Sequence, residues 1–463
     1  MEPFDIAILG GGTGGYTAAI RAAHLGARTV LIENRELGGT CLNRGCIPTK
    51  SIIASIEAME HAKKGGVFGF RAEGVEPDLR RLMDRKKQVV SRLVKGVEQL
   101  LKGNRVDVVF GRGELISENE IRAVEPDGRE RTIRARRIVL AAGSEPARLP
   151  RFRMDGKSVL TSDEALKMES VPRSLLIVGA GAIGVEFARI FHSLGSKVVV
   201  AEMENQVLPG MDGRLAQVLS SKMRKNGIDV KTGSAIQDLR TEDGGVLAAF
   251  CNGETVRTEK VLVSIGRMPN STGIGLEKVG VATEKGFVRT DSKMATSVPG
   301  LYAVGDLAGK WLLAYTAAQE GIAAAENALG RNKDMDYRCV PVTVFSDPEI
   351  ASVGLSEKEA LEKGIDVAVG RFLFAANGKA LVLDETDGFV SVVADKKTGE
   401  MLGGQIAGPR ASDLIAEMAL AVGMHLRAGD LARTLHSHPT LAEAVSEAAH
   451  DVTGESVQKL RKS

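Results

Sequence analysis

An α/β chain with two tandem Rossmann-like dinucleotide-binding units, closed by a C-terminal α+β domain, is the fold class that three observations predict. The order strand, G-x-G-x-x-G, helix, strand, acidic residue occurs twice, over residues 4–33 and again over residues 175–202. From about Val340 no third Gly-rich fingerprint follows, and short strand-like and helix-like runs alternate. The 463 residues suit about three domains of ordinary size.

Phe4–Leu9 is a short apolar run of strand type, followed by Gly10, Gly12 and Gly15 in the fingerprint positions. A helix is expected over residues 16–25 and a second strand over 29–32, ending at Glu33. The glycines let the backbone approach a pyrophosphate at the positive end of the helix. Glu33 can accept hydrogen bonds from a ribose. A helix is expected over 51–63 and a longer one over 78–102. Leu79, Leu82, Met83, Val90, Leu93, Val94, Val97, Leu100 and Leu101 recur along the longer one as a core or subunit-contact stripe. Strands follow near 106–113 and 138–142, the latter running into the turn AAGSEP, which can close over a nucleotide.

The second unit starts between residues 148 and 172. Its strand 175–178 leads to Gly179, Gly181 and Gly184, a helix over 186–194, and the strand Lys197–Ala201, which ends at Glu202. A carboxylate there accepts from a 2′-hydroxyl and repels a 2′-phosphate, and no arginine follows closely, so the second site reads as one for NAD. A strand over 261–265 reaches Gly266 and Arg267, another turn at a sheet end. TSVPGLYAVGD, residues 296–306, gives a strand ending at Asp306, with a helix from about Ala314 to Leu329. Asp306 can hold a polyol or ribose, or cap a helix. In the last part, strands are expected over 342–345, 350–354, 371–374, 388–395 and 401–407. Helices are expected over 356–363, 411–421, 428–434 and 440–450.

Between the first two strands and the long helices lies GGTCLNRGCIPTK, residues 38–50, with Cys41 and Cys46 separated by four residues. A regular helix would part their α-carbons by about 7.5 Å along its axis, against roughly 4.4–6.8 Å for a relaxed disulfide. A bonded pair therefore needs a distorted helical turn, and strained or exposed disulfides are the labile, catalytic ones. Two structural or metal-binding thiols are the alternative. The spacing differs from the usual zinc pattern, and no second close cysteine pair follows. Cys251 and Cys339 read as single buried thiols.

Composition narrows the classes. Hydrophobic residues at 43% and charged residues at 26% describe a globular chain, and a net charge of +2 argues against nucleic acid as a partner. Four cysteines do not make a secreted disulfide framework, so a cytoplasmic, reducing compartment is expected. No membrane span, signal peptide, transit peptide or additional N-terminal domain is expected.

Two dinucleotide units and a cysteine pair imply an electron relay in which one nucleotide is a flavin, since a flavin exchanges electrons with a thiolate. GGTCLNRGCIPTK, GAGAIGVEFA, LYAVGD and HSHPTLAE together resemble the flavin-dependent pyridine nucleotide-disulfide oxidoreductases over nearly the whole chain. Within that family the resemblance is nearest to the branch that oxidises protein-bound dihydrolipoamide and reduces NAD.

The resemblance implies an FAD domain at 1–147, an NAD domain at 148–269, a central segment at 270–339 packing with the FAD domain, and a dimerisation domain at 340–463. It implies that Cys41 exchanges with the substrate disulfide, and that Cys46 stacks on the flavin as a charge-transfer thiolate. Lys50 lies near the reactive flavin nitrogen, with Glu186 as its ion-pair partner. His438, supplied by the other subunit of a homodimer, accepts the proton and is oriented by Glu443. Glu33, Gly39, Thr40, Gly113, Gly143, Asp306 and Ala314 contact FAD along with Gly10, Gly12 and Gly15. Gly179, Gly181, Gly184, Glu202 and Gly266 line the NAD site. His436, two residues from His438 on an extended strand, reads as structural. Arg44 stands where the family often has a small or apolar residue, which could alter disulfide potential or access.

The implied partner is the lipoyl domain of a 2-oxo acid dehydrogenase or glycine cleavage complex. The alternatives are an NAD(P)H-dependent reductase of another disulfide, or chiefly a docking subunit of a multienzyme complex. A mercuric-ion reductase would need a C-terminal cysteine pair, and a transhydrogenase would lack Cys41 and Cys46.

Overall fold

The structure, a computed structural model, describes residues 2–458, so Met1 and residues 459–463 of the expected terminal domains lie outside it. Three sheets organise the chain. In the first, Phe4–Leu9 pairs in parallel with Thr29–Glu33 and with Glu130–Leu140, and Asp107–Phe110 extends the sheet beyond Thr29–Glu33. Thr29–Glu33 is buried along its whole length because both faces of a parallel sheet are covered. Ile6, Ile8 and Leu31 face one layer, and Ala7, Leu9, Val30 and Ile32 the other.

The chain leaves this sheet for the second unit and later returns to it. Leu301–Ala303 adds in parallel against Glu130–Leu140. The helix Ala314–Ala328 then packs on Thr13–His24, crossing where Gly321 meets Gly14: a Cβ on Gly321 would stand 2.3 Å from the Gly14 carbonyl oxygen. The far part of Glu130–Leu140 carries the antiparallel strands Glu120–Val124 and Arg112–Ser117.

The second sheet is wholly parallel. Its order is Asp229–Lys231, Lys197–Ala201, Ser174–Val178, Lys260–Val263 and Val159–Leu160. Beside it Ile236–Glu242, Gly245–Phe250 and Thr255–Thr258 form an antiparallel sheet that the sequence reading leaves out. The third large sheet is antiparallel, in the order Val342–Val344, Glu349–Gly354, Met401–Gly408, Phe389–Asp395, Val367–Leu373. The helices Ala411–Gly423 and Glu443–Thr453 bury alanines, Ile415, Met418 and Val445 against it.

Several expectations shift. The first helix begins at Thr13 rather than residue 16, because the fingerprint glycines themselves form its cap and first turn. The apolar stripe on Leu79–Gly103 is divided. Leu79, Leu82 and Met83 pack against the second unit, Val97 and Leu101 against the first, and Leu93 and Leu100 stay exposed. Cys251 is exposed in the turn after Gly245–Phe250, and Cys339 is half-buried, so neither is the buried thiol expected. No helix among the described residues is long and apolar enough to cross a membrane.

Candidate active site

The cysteine segment folds as two helices broken at one residue. Gly39–Arg44 carries Cys41; Cys46–Lys63 begins with Cys46; Gly45 between them has φ −139° and ψ −111°. That break is the departure from a regular helix that the spacing demands. Both cysteines are free thiols here, the reduced arrangement of the pair. The thiols are unequal. The hydrogen bond between them raises Cys41, and burial raises it further. The same bond lowers Cys46 to about 7, with burial opposing and Lys50 assisting. Cys46 is thus the more acidic thiol of the pair.

The two dinucleotide cradles are near copies. Gly10 and Gly179 have φ of +111° and +99°. A Cβ on Gly15 would fall 1.8 Å from the Gly10 carbonyl oxygen, and one on Gly184 1.9 Å from that of Gly179. Gly12 and Gly181 cap their helices in extended conformation. The buried Glu33 carboxylate accepts the amides of Gly11 at 2.6 Å and Arg35 at 2.7 Å. Glu202 accepts those of Ala180 at 2.7 Å and Glu204 at 2.9 Å. Burial pushes the Glu33 carboxyl up, and those two amides hold it back.

From the first cradle two adjoining cavities run as one cleft. One is lined by Gly10, Glu33, Gly39, Gly113 and Asn270. The other is lined by Cys41, Cys46, Lys50, Asp306 and Ala314. Gly12, Thr40, Arg44, Ala141 and Gly143 line both. Gly39, at φ +56°, lies so close to Gly12 that a Cβ would meet the Gly12 Cα at 2.6 Å. Asp306 lies in a short 3-10 turn, Gly305–Leu307, and does not cap the Ala314–Ala328 helix, whose N-cap is Leu313. Its carboxylate accepts from the Ser144 hydroxyl, and Arg267 donates to Ser144 Oγ and to the Ser144 carbonyl, each at 2.7 Å. The turns after the two parallel sheets pair with each other, Arg267–Pro269 against Ser144–Pro146. Gly266, at φ +117°, begins that crossing; its carbonyl accepts from Ala147 at 3.0 Å.

Lys50 Nζ donates to both Glu186 oxygens at 2.8 Å, joining the helix after the cysteines to the helix of the second cradle. Glu186 is buried, and Ala182 and Ile183 from its helix line the cleft beside it. Arg44 lines the cleft beside the two cysteines while its guanidinium is paired: Nη1 bonds Glu36 at 2.7 Å and Nε lies 3.5 Å from Asp163.

His438 and Glu443 lie apart from this cleft; neither lines it. His438 Nδ1 meets Glu443 Oε1 at 2.8 Å, while 78% of the His438 side chain is exposed. Burial raises the Glu443 carboxyl, but the Thr440 amide and His438 outweigh it, and the net shift is downward. His436 is enclosed and paired with Glu417 at 2.9 Å, as the structural reading expects.

Residues 4–321 match the family described as pyridine nucleotide-disulphide oxidoreductase, and residues 340–449 match its dimerisation domain. The chain belongs to that family. It is 42% identical to a dihydrolipoyl dehydrogenase of Bacillus subtilis (strain 168), over 98% of this chain and 99% of the relative. Among solved structures, LpdA from Mycobacterium tuberculosis superposes with TM-score 0.91 at 31% identity, covering 96% of this chain and 98% of that one. The HOCl-induced flavoprotein disulfide reductase RclA from Escherichia coli superposes with TM-score 0.86 at 26% identity, covering 96% and 99%.

FAD and NAD are the cofactors of this oxidoreductase. The first cleft fits FAD: no Cβ obstructs the cradle, Glu33 waits at one end, and Asp306 and the thiol pair lie at the other. Residues to which the sequence analysis gave no role in the site complete it. Ser144 and Arg267 fix Asp306, and Thr343 reaches the cleft from the dimerisation domain. The signal for the first two was the pair of turns at sheet ends. Nothing local marks Thr343.

Proposed function

We propose that this chain is an FAD-containing dihydrolipoyl dehydrogenase acting as a homodimer. It oxidises a lipoyl dithiol carried on the lipoyl domain of a 2-oxo acid dehydrogenase or glycine cleavage complex and delivers the electrons to NAD, in the cytoplasm. The observation that carries this is the unequal thiol pair facing the same cleft as the dinucleotide cradle and the Lys50–Glu186 pair.

In the oxidised enzyme, a substrate thiolate attacks the Cys41 sulfur. The Cys41–Cys46 bond breaks, and Cys46 leaves as thiolate. The second substrate thiolate attacks its own sulfur in the mixed disulfide, closing the lipoyl ring and releasing Cys41. His438 of the partner subunit takes the substrate proton, and Glu443 of the partner subunit holds the imidazole tautomer at Nδ1. Lys50 sets a positive charge beside Cys46 and favours its thiolate. Bound FAD supplies two-electron exchange between dithiol and nicotinamide. Glu202 selects NAD by accepting from a 2′-hydroxyl.

The likeness to RclA favours a second reading, reduction of another disulfide at the expense of a reduced nicotinamide. Steady-state assays separate the two. Turnover of dihydrolipoamide with NAD, and far less with NADP, is expected. Inertness to dihydrolipoamide together with NADH- or NADPH-driven reduction of another disulfide would establish the second reading.

A further inference from the structure

The Lys50–Glu186 pair is held from a third direction. Phe345, the residue after the strand Val342–Val344, donates its backbone N–H to Glu186 Oε1 at 3.1 Å. Its ring lies against Lys50, with Nζ 4.5 Å from the ring centre. Phe345 therefore touches both members of an ion pair that joins the first dinucleotide unit to the second. The neighbouring residues act in the same place. The Pro341 carbonyl accepts the Tyr315 hydroxyl next to the start of the Ala314–Ala328 helix, and Thr343 lines the cleft. The Ser346 carbonyl accepts Arg189 Nη1 at 3.1 Å, on the helix that carries Glu186.

We infer that Phe345 is a positioning residue for the flavin side of the site: its amide fixes Glu186, its ring fixes the Lys50 ammonium, and the first strand of the dimerisation domain thereby sets the reduction potential of the flavin. The inference rests on the FAD-containing reading above, in which Lys50 faces the flavin. A cation is attracted to the face of an aromatic ring, more strongly where water is kept out. Glu186 is 5% exposed, so its side of the pair is dry. Lys50 retains one N–H beyond the two given to the carboxylate oxygens, and a ring face is the apolar surface that still attracts it. A fixed cation beside a group that gains negative charge on reduction stabilises the reduced form, and a mobile, hydrated one does so less.

The test uses holoenzyme and reads potential, not turnover. Phe345→Leu fills most of the ring's volume without its charge distribution, and Phe345→Tyr keeps the ring. Both are expected to bind FAD fully. The flavin midpoint potential of Phe345→Leu is expected to fall by about 30 mV, a tenfold change for a two-electron couple. That of Phe345→Tyr is expected to stay at the parent value. An unchanged potential in FAD-loaded Phe345→Leu overturns the inference. If Phe345→Leu loses FAD, Phe345→Met takes its place with the same two outcomes; loss of FAD from both would assign Phe345 to folding and overturn it too. Because dihydrolipoamide is not used, a parent enzyme inert to that substrate would refute the substrate assignment and leave this result standing.

Discussion

Cys41 and Cys46 share one hydrogen bond and are driven in opposite directions by it. Alkylation of the reduced protein should report this. Iodoacetamide labelling of Cys46, followed by mass spectrometry, is expected to rise through about pH 7, because falling pH protonates a thiolate and removes the nucleophile. Labelling of Cys41 should rise only above the ordinary thiol range; matching profiles for the two would refute the asymmetry. Cys41→Ser is expected to abolish dihydrolipoamide turnover while FAD stays bound, since Cys41 is one of many residues lining that cleft. Loss of FAD instead would mean that Cys41 supports the cradle. At this scale the sequence was legible where chemistry is local: the thiol spacing, the fingerprint glycines, and the two acids at strand ends. It was not legible where contacts are distant. Ser144 meets Asp306 across 162 positions and Arg267 across 123, and no local pattern encodes such a meeting. Arg44 shows both. Its place between the cysteines was legible, whereas its ion pairs with Glu36 and Asp163 were not.

Helix Ala314–Ala328 does two jobs, and each makes a prediction. Its Gly321 allows close approach to Gly14, so Gly321→Ala should force the helices apart and cost about 1–3 kcal/mol in urea unfolding. An unchanged midpoint would show that the crossing has slack. Its Glu320 is fully buried, accepting the Gly305 amide at 2.6 Å and the Tyr337 hydroxyl at 2.8 Å. Burial pushes that carboxyl up to about 7, despite the two hydrogen bonds. The folded state therefore keeps a proton that the unfolded chain releases. The resulting stability is complete below the ordinary carboxyl range and is lost as pH rises through about 7. Between pH 5 and pH 8 the wild type should lose more stability than Glu320→Gln; equal losses would refute the assignment. The central parallel strands were legible as continuous apolar runs, whereas the short edge strands Val159–Leu160 and Asp229–Lys231 were not. The antiparallel strands Ile236–Glu242 and Thr255–Thr258 were not, because both are polar and largely exposed.

On the reading proposed above, a second subunit accounts for a His438–Glu443 couple that lies apart from the thiols of its own chain. His438, exposed, and Glu443, half-buried, are bonded to one another and do not line the cleft of their own chain, on a domain of dimerisation type. On that proposal, two chains complete each other's sites. Chains carrying Cys41→Ser and His438→Ala, each inactive alone, should regain activity when mixed dimers form, up to about half the wild-type sites. No recovery in verified mixed dimers would place the couple in its own chain's site. The chain order of two dinucleotide units followed by a third domain was legible, whereas which subunit supplies which residue is a property of assembly that composition and periodicity do not carry. The most direct test is an anaerobic addition of one equivalent of dihydrolipoamide to the purified yellow protein, followed by NAD. A long-wavelength absorption band and then NADH formation, both absent in Cys41→Ser, is the expected result; no spectral change, or a change that survives Cys41→Ser, would contradict it.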